Sequence, residues 1–259
     1  MLDLLTARPR AADLARAPHL LYGHVHPGDA YSTGAWLRDV ERVSKDLAGR
    51  RAIFAGGTGL YFRALVEGLS SMPEIPVAVR ERWRQRLAAE GPASLHRLLA
   101  DMDPQSAAAL RPTDGQRVVR ALEVFDASGR SIRSWQAKKG RPLVDHSTAR
   151  LIVIDPARTT LVRRIEDRFD RMLEEGVLDE VREFASLGLD PSLPATKAIG
   201  LRELQGALSG HISLDEAIAR AKAATRHYAK RQSTWFRHQF GPEWRRLPSA
   251  DGIVDAWIK

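Results

Sequence analysis

Three short apolar runs, each stopped by turn residues and each followed by a helical pattern, constrain this chain more than any other feature. They are Leu20-Leu-Tyr-Gly-His-Val25, Ala52-Ile-Phe-Ala55 ahead of Gly56-Gly57, and Leu151-Ile-Val-Ile154 ending at Asp155-Pro156. Runs of this length suit strands, and strands that alternate with helices are joined by crossovers, which makes neighbouring strands parallel. The expected fold is therefore α/β with a mostly parallel sheet. After the third run, Leu161, Ile165, Phe169 and Met172 recur at helical spacing, a stripe expected to pack on that sheet.

Between about Pro73 and Arg133 the pattern is helical only. Trp83, Leu87, Leu95, Leu98, Leu99 and Leu110 hold the apolar positions, and Gly91-Pro92 and Asp103-Pro104 break them. This predicts a helical insertion over 73–133 in an α/β core made of 1–72 and 134–259. The stretch Gln136 to Ser147, with Lys138-Lys-Gly-Arg-Pro142, is polar and aperiodic, which reads as a loop or hinge. At 259 residues and 44% hydrophobic, the chain is long enough to bury at least one substantial core.

Composition excludes several chemistries. With no cysteine there are no disulfides, thiolate nucleophiles or thiolate metal sites. Nothing approaches the roughly 18 unbroken apolar residues of a membrane span, and the opening apolar run is too short for a signal peptide, so no membrane partner and a cytoplasmic location are expected. His19, His24 and His26 form no zinc signature and read as structural or surface groups. Glu174 and Glu175 are adjacent on a helix and point apart, so they form no acid/base pair. A net charge of +8 favours polyanions, although arginine codon bias gives the same total.

The placement of the charges is more informative. On a helix from Ile218 to Arg237, Lys222, Arg226, Lys230, Ser233 and Arg237 fall in one stripe, with Ala224, Tyr228 and Trp235 opposite. A solvated face interleaves acids with bases, yet no acid stands between Glu216 and Glu243, which favours a polyanion-binding ridge. Gln116-Arg-Val-Val-Arg120 starts a helix after the Pro112-Thr-Asp-Gly115 turn and puts two guanidinium groups on one face, suited to a phosphodiester or a splayed-out base. Lys197-Ala-Ile-Gly-Leu-Arg202 sets two cations around a glycine, and here an ordinary loop into a helix is an equal reading. Gly56-Gly-Thr-Gly-Leu-Tyr61 opens a helix after the second run. Its glycines allow close backbone approach to a ligand, its Thr58 hydroxyl and first-turn amides face whatever lies at the sheet's C-terminal edge, and plain turn chemistry is the commoner use of such a pair. No Gly-Lys-Ser/Thr phosphate loop occurs anywhere in the sequence.

In order and spacing these segments resemble the tRNA dimethylallyltransferase (tRNA isopentenyltransferase) family along nearly the whole chain. The resemblance is carried by Leu5-Thr-Ala-Arg-Pro9, Pro18-His19, Ala30-Tyr-Ser32, Gly56 to Phe62 through Glu67-Gly-Leu69, Gln116 to Glu123, Ala198 to Arg202, Ala224-Thr-Arg226 and Lys230 to Arg237. It implies a P-loop nucleotide-kinase-like parallel sheet core with a helical insertion. It also implies transfer of a dimethylallyl group from dimethylallyl diphosphate to the N6 of an adenosine flipped out beside the anticodon, with Mg²⁺ at the diphosphate and a monomeric enzyme on the anticodon stem-loop. By the same resemblance Thr58 lines the channel that receives the base and Arg80 touches the tRNA. The RNA would be gripped by Gln116, Arg117, Val118, Val119 and Arg120; by Lys197, Ala198, Ile199, Gly200, Leu201 and Arg202; and by Lys230, Arg231, Gln232, Ser233, Thr234, Trp235, Phe236 and Arg237.

Two departures accompany the resemblance. Leu201 stands where the family usually has tyrosine. The family's phosphate loop, first strand and catalytic aspartate precede the Leu5-Thr-Ala-Arg-Pro9 segment near which this chain begins, so they and the metal's phosphate-loop ligand are expected to be missing. A downstream start codon or loss of the gene's front end accounts for that, and the 259 residues are then expected to bind tRNA poorly and turn over little. The competing reading is a catalytically dead tRNA-binding remnant. A small-molecule kinase sharing the core gives no reason for the ridge at 222–237.

Overall fold

The computed structural model describes residues 2–47, 49–138, 140–251 and 253. In chain order its elements are α1 (Ala11–Leu14), α2 (Thr33–Lys45), α3 (Gly59–Glu67), α4 (Val77–Met102), α5 (Pro104–Ala108), α6 (Gly115–Ser128), α7 (Ile132–Gln136), β1 (Ile152–Ile154), α8 (Arg158–Glu174), α9 (Val177–Ser186), a 3-10 turn (Pro194–Lys197), α10 (Leu201–Leu208), α11 (Leu214–Gln239) and β2 (Arg245–Leu247). One compact unit takes in the described residues of Met1–Phe62 and Asp145–Lys259; Arg63–Val144 forms a second. The chain passes from the first to the second within α3.

The first unit is built on helices. Phe169 and Met172 of α8, Val177, Val181 and Phe184 of α9, Leu201 and Leu204 of α10, and Ala217 and Ala221 of α11 close into one buried cluster with Leu2 and Leu5. The alanines on α11 let the helices approach closely. Gly200, at φ +90°, turns the chain into α10 where a side chain would be strained, and its surroundings are Leu5, Phe169 and Ala221. The longest helix of this unit starts at Ser213, whose hydroxyl accepts from the Glu216 amide, continues through Asp215 and Glu216, and ends in Arg237 and His238, the charge order that opposes the helix dipole.

Of the three predicted strands, only the third forms. β1 pairs with β2 in parallel, Ile152 opposite Arg245 and Ile154 opposite Leu247. A crossover of helices α8 to α11 joins them, so the α/β class and the parallel sense hold in a two-stranded sheet. The runs 20–25 and 52–55 are irregular, with Ile53 73% exposed. A strand exists only through its ladder, and among the described residues neither run has a neighbour to pair with. β2, with two arginines in three residues, gave no apolar signal. In the α8 stripe Leu161 is half-buried and Ile165, Phe169 and Met172 are buried, but Phe169 and Met172 pack against α9, α10 and α11 instead of a sheet.

The regular elements described in the second unit are all helices, packed around Trp83, Leu95, Leu99, Ala107, Val118, Val119, Ala121 and Leu122. Gly91, at φ +75°, breaks α4 ahead of Pro92, and Asp103 ends it and caps α5 by accepting from the Ser106 amide. Gln136 ends α7, the described residues of the polar stretch after it are irregular, and Leu143 and Val144 donate to the Leu65 carbonyl at 2.9 and 3.1 Å. Lys139 of that stretch lies outside the described residues.

Candidate functional site

The Gly56–Tyr61 turn and the second half of α11 form one assembly in the first unit. The Gln232 side-chain amide donates to the Gly57 carbonyl at 2.7 Å. A Cβ on Gly57 would meet that amide, and a Cβ on Gly59 would overlap the Trp235 ring. The glycines therefore serve close approach by side chains of α11, in place of the close approach by a ligand that the sequence suggested. Trp235 in turn stands edge-on to Phe240, and Phe240 stacks on Trp244 at 3.8 Å just before β2. Thr58 is exposed at the head of the turn, and its carbonyl accepts from the Tyr61 amide as α3 begins.

The basic stripe on α11 divides in two. Lys222 is bound to Asp170 at 2.5 Å and Arg226 to Glu166 at 3.1 Å, both acids coming from α8. The acid-free window in the sequence hid these partners because they lie more than fifty residues upstream. Lys230, Arg231, Thr234 and Arg237 are exposed, whereas Gln232, Ser233, Trp235 and Phe236 are half-buried. Among the described residues no carboxylate stands within ion-pair distance of Lys230, Arg231 or Arg237; Arg231 lies over the Tyr228 ring at 5.8 Å. The uncompensated charge is thus on the same turns of α11 that lock the Gly-Gly-Thr turn.

Lys197 and Arg202 are exposed at the entry to α10, with Ala198 and Ile199 half-buried. Gly200 is buried and Leu201 is 1% exposed in the core, so the leucine faces the interior.

In the second unit Arg80 is exposed near the start of α4. Asp114 caps α6 by accepting from the Arg117 amide at 3.3 Å, which places Gln116 and Arg117 in the exposed first turn. The Arg117 guanidinium reaches back to Asp114 at 3.4 Å, and that of Arg120 reaches Glu123, a buried carboxylate, at 3.3 Å. Val118 and Val119 are buried in the helical core.

One polar cluster carries no signal in the sequence, where His24 reads as structural or surface. The Tyr31 hydroxyl donates to Asp39 Oδ2 at 2.7 Å, His24 Nε2 lies 3.0 Å from that hydroxyl and 3.2 Å from the same carboxylate oxygen, and Arg42 donates to Oδ1 at 3.1 Å. The Tyr31 hydrogen bond and then that from Arg42 hold the Asp39 carboxyl down at about 2. Burial and the Asp39 hydrogen bond raise the Tyr31 phenol above its ordinary value. No sequence signal links a loop histidine to a tyrosine seven residues on and an aspartate in the next helix. Among the described residues no three His, Asp or Glu side chains gather into a group that could hold a metal ion. No described helix is long and apolar enough to cross a membrane.

The IPP transferase family profile matches residues 1–239. A tRNA dimethylallyltransferase from Mesorhizobium japonicum is 64% identical over 254 residues, covering 98% of this chain and 79% of the relative. One from Chelativorans is 60% identical over 250 residues, covering 96% and 86%. Among solved structures, the full-length tRNA isopentenylpyrophosphate transferase of Bacillus halodurans aligns at a TM-score of 0.63 and 28% identity over 99% of this chain and 81% of its own. A eukaryotic dimethylallyltransferase acting on tRNA shares the fold at a TM-score of 0.78 and 22% identity, over 98% of this chain and 66% of its own.

Proposed function

The chain belongs to the IPP transferase family, and from that premise we infer that it transfers a dimethylallyl group to tRNA, as the names of its relatives at 64% and 60% identity say of them. The acceptor in this reading is the adenosine beside the anticodon. Its N6 attacks the first carbon of dimethylallyl diphosphate, the carbon–oxygen bond breaks, diphosphate leaves, and the nitrogen loses a proton. A base inside a stem-loop must be unstacked before such an attack, so the protein has to grip the backbone and present one base together.

The observation that carries this reading is the lock between the Gly56–Tyr61 turn and α11. Gln232 and Trp235 hold the turn, and Lys230, Arg231 and Arg237 on the same helical turns lack acidic partners among the described residues. We assign the cations to the ribose-phosphate chain, whose affinity for them is electrostatic and salt-sensitive, and the exposed Thr58 to the presented base. Lys197 and Arg202 add a second patch on this unit. On the other unit Arg80, Gln116, Arg117 and Arg120 make the 73–133 segment the RNA-binding insertion. Val118, Val119 and Leu201 shape their elements from within, and Gly200 turns the chain into α10.

The proposed donor is dimethylallyl diphosphate, and the protein acts as a monomer in the cytoplasm, where its tRNA substrate is. The nucleotide-kinase-like origin of the sheet belongs to the same reading. The 259 residues contain no Gly-Lys-Ser/Thr loop, so the roles assigned here are those of the RNA end of the reaction, and no step is assigned to Mg²⁺. The rival reading, a non-catalytic RNA-binding remnant, has less support, because relatives named as transferases align over 96% to 98% of this chain.

The test is to incubate the purified chain with an anticodon stem-loop and dimethylallyl diphosphate, measuring binding and prenylation separately. Saturable binding with prenylation of the adenosine beside the anticodon is the expected result, in place of the weak binding and low turnover expected from the sequence alone. Binding without transfer favours the remnant, and a stem-loop held no better than an unrelated hairpin overturns the assignment of the RNA end.

A further inference from the structure

The polar cluster around Asp39 is used by nothing assigned so far, and its connections lead to the Gly-Gly-Thr turn. The segment from 15 to 31 is irregular, and within it Leu21 and Gly23 take positive φ of 62° and 64°. Such a segment holds one conformation only if side chains tie it down. Here the ties are the His24 ring and the Tyr31 hydroxyl, both on the Asp39 carboxylate of α2. Tyr31 gives its proton to Oδ2, so the nearby Nε2 of His24 carries a hydrogen to satisfy that oxygen or the phenol. With Arg42 on the other oxygen, the carboxylate receives donors on both sides.

From Asp39 the connection runs along α2. Trp36 stands three residues before Asp39, on the same face of the helix, and stacks on Tyr61 with ring centres 4.6 Å apart and planes 26° from parallel. Tyr61 closes the first turn of α3 through its amide on the Thr58 carbonyl at 3.0 Å. The turn is therefore held by two sets of contacts, Gln232 and Trp235 from α11 and Tyr61 on Trp36 from α2. A metal-binding role does not suit the cluster, because the Arg42 cation and the Tyr31 hydrogen already occupy the carboxylate. A catalytic role does not suit it either, because none of its side chains touches a residue assigned to the substrate.

We propose that His24, Tyr31 and Asp39 are positioning residues that fix the Gly56–Tyr61 turn, through Trp36 and Tyr61, in the geometry that receives the base presented by the RNA. This rests on the reading of Thr58 as the base-facing residue. It separates two tasks within one unit: the α11 cations grip the backbone, and the Asp39 cluster sets how the base is received.

The test uses the full chain and an anticodon stem-loop carrying a fluorescent aminopurine in place of the adenosine beside the anticodon, since its emission rises when the base leaves the stack. Tyr31→Phe is expected to leave stem-loop affinity within about twofold, as for a site independent of the gripping cations. The emission rise at saturation is expected to drop severalfold, with about a fivefold change in the presentation equilibrium, the size of one lost hydrogen bond. His24→Ala behaves the same way, and His24→Gln, which keeps an N–H donor, restores the signal. Full emission in Tyr31→Phe and His24→Ala, or loss of emission only in step with affinity and melting temperature, overturns the proposal. Failure of the unsubstituted chain to bind the stem-loop overturns the functional reading itself, and this inference with it.

Discussion

Gly59 has room for a hydrogen and nothing larger on the side facing Trp235. Gly59→Ala is therefore expected to destabilise the first unit by about 1–3 kcal/mol, the range for overpacking a well-filled contact, and to weaken stem-loop binding with it. Denaturant unfolding measures the first effect, and an unchanged midpoint contradicts the packing account. Asp39 supplies a pH prediction of definite sign. Its folded value of about 2 lies below the ordinary 3.8, so the stability it lends is complete above the ordinary value and is lost as pH falls through the folded one. Acid unfolding of Asp39→Asn should then differ from the parent near neutral pH and converge with it toward pH 2; a difference that persists at the acid end argues against the carboxylate. At this scale the sequence showed that Gly56 to Tyr61 was special, because glycines at a helix entry are visible in one dimension. It did not show what the glycines face, because Gln232 and Trp235 are some 175 residues away.

Among the elements, α11 shows what a helical wheel reads and what it misses. The spacing placed Lys222, Arg226, Lys230 and Arg237 on one stripe, and the helix observed from Leu214 to Gln239 carries them. Asp170 and Glu166 of α8 neutralise the first two, information that lies in packing and not in the helix's own sequence. Lys222→Gln or Arg226→Gln should accordingly change stem-loop affinity little, and as partly exposed pairs they should alter stability by about 0–1 kcal/mol. A large loss of RNA binding in either variant would return the whole stripe to the interface. The α6 entry supplies a second test. Asp114→Ala removes the cap that accepts from the Arg117 amide, so the helix is expected to lose about 1 kcal/mol and fray where Gln116 and Arg117 stand. Faster amide exchange confined to that first turn is the expected readout.

For the whole molecule, class and direction were legible and extent was not. Alternating runs imply α/β with parallel strands, as β1 and β2 are, and the spacing of Trp83, Leu95 and Leu99 in 73–133 implies helices, on which these residues are buried together in the second unit. Two of the three apolar runs failed as strands because an apolar run specifies a strand only where a neighbour completes its ladder, and β2 went unseen because its pairing with β1 rests on backbone bonds that arginines do not prevent. With a separate core in each unit, Leu99→Ala is expected to cost about 2–5 kcal/mol and to speed exchange in α4 to α7 far more than in α8 to α11. An equal rise in both sets would contradict that division. RNA binding in this reading rests on Lys230, Arg231 and Arg237, which have no acidic partner among the described residues and share α11 with Gln232 and Trp235. The direct measurement is the salt dependence of stem-loop binding for the chain and for a variant carrying Lys230→Glu, Arg231→Glu and Arg237→Glu together. Each lost phosphate contact should lower the slope of log affinity against log salt by about 0.7–0.9, so the triple variant should lose roughly two units of slope and most of its affinity at low salt. A triple variant that keeps both the slope and the affinity of its parent would show that the RNA is held elsewhere.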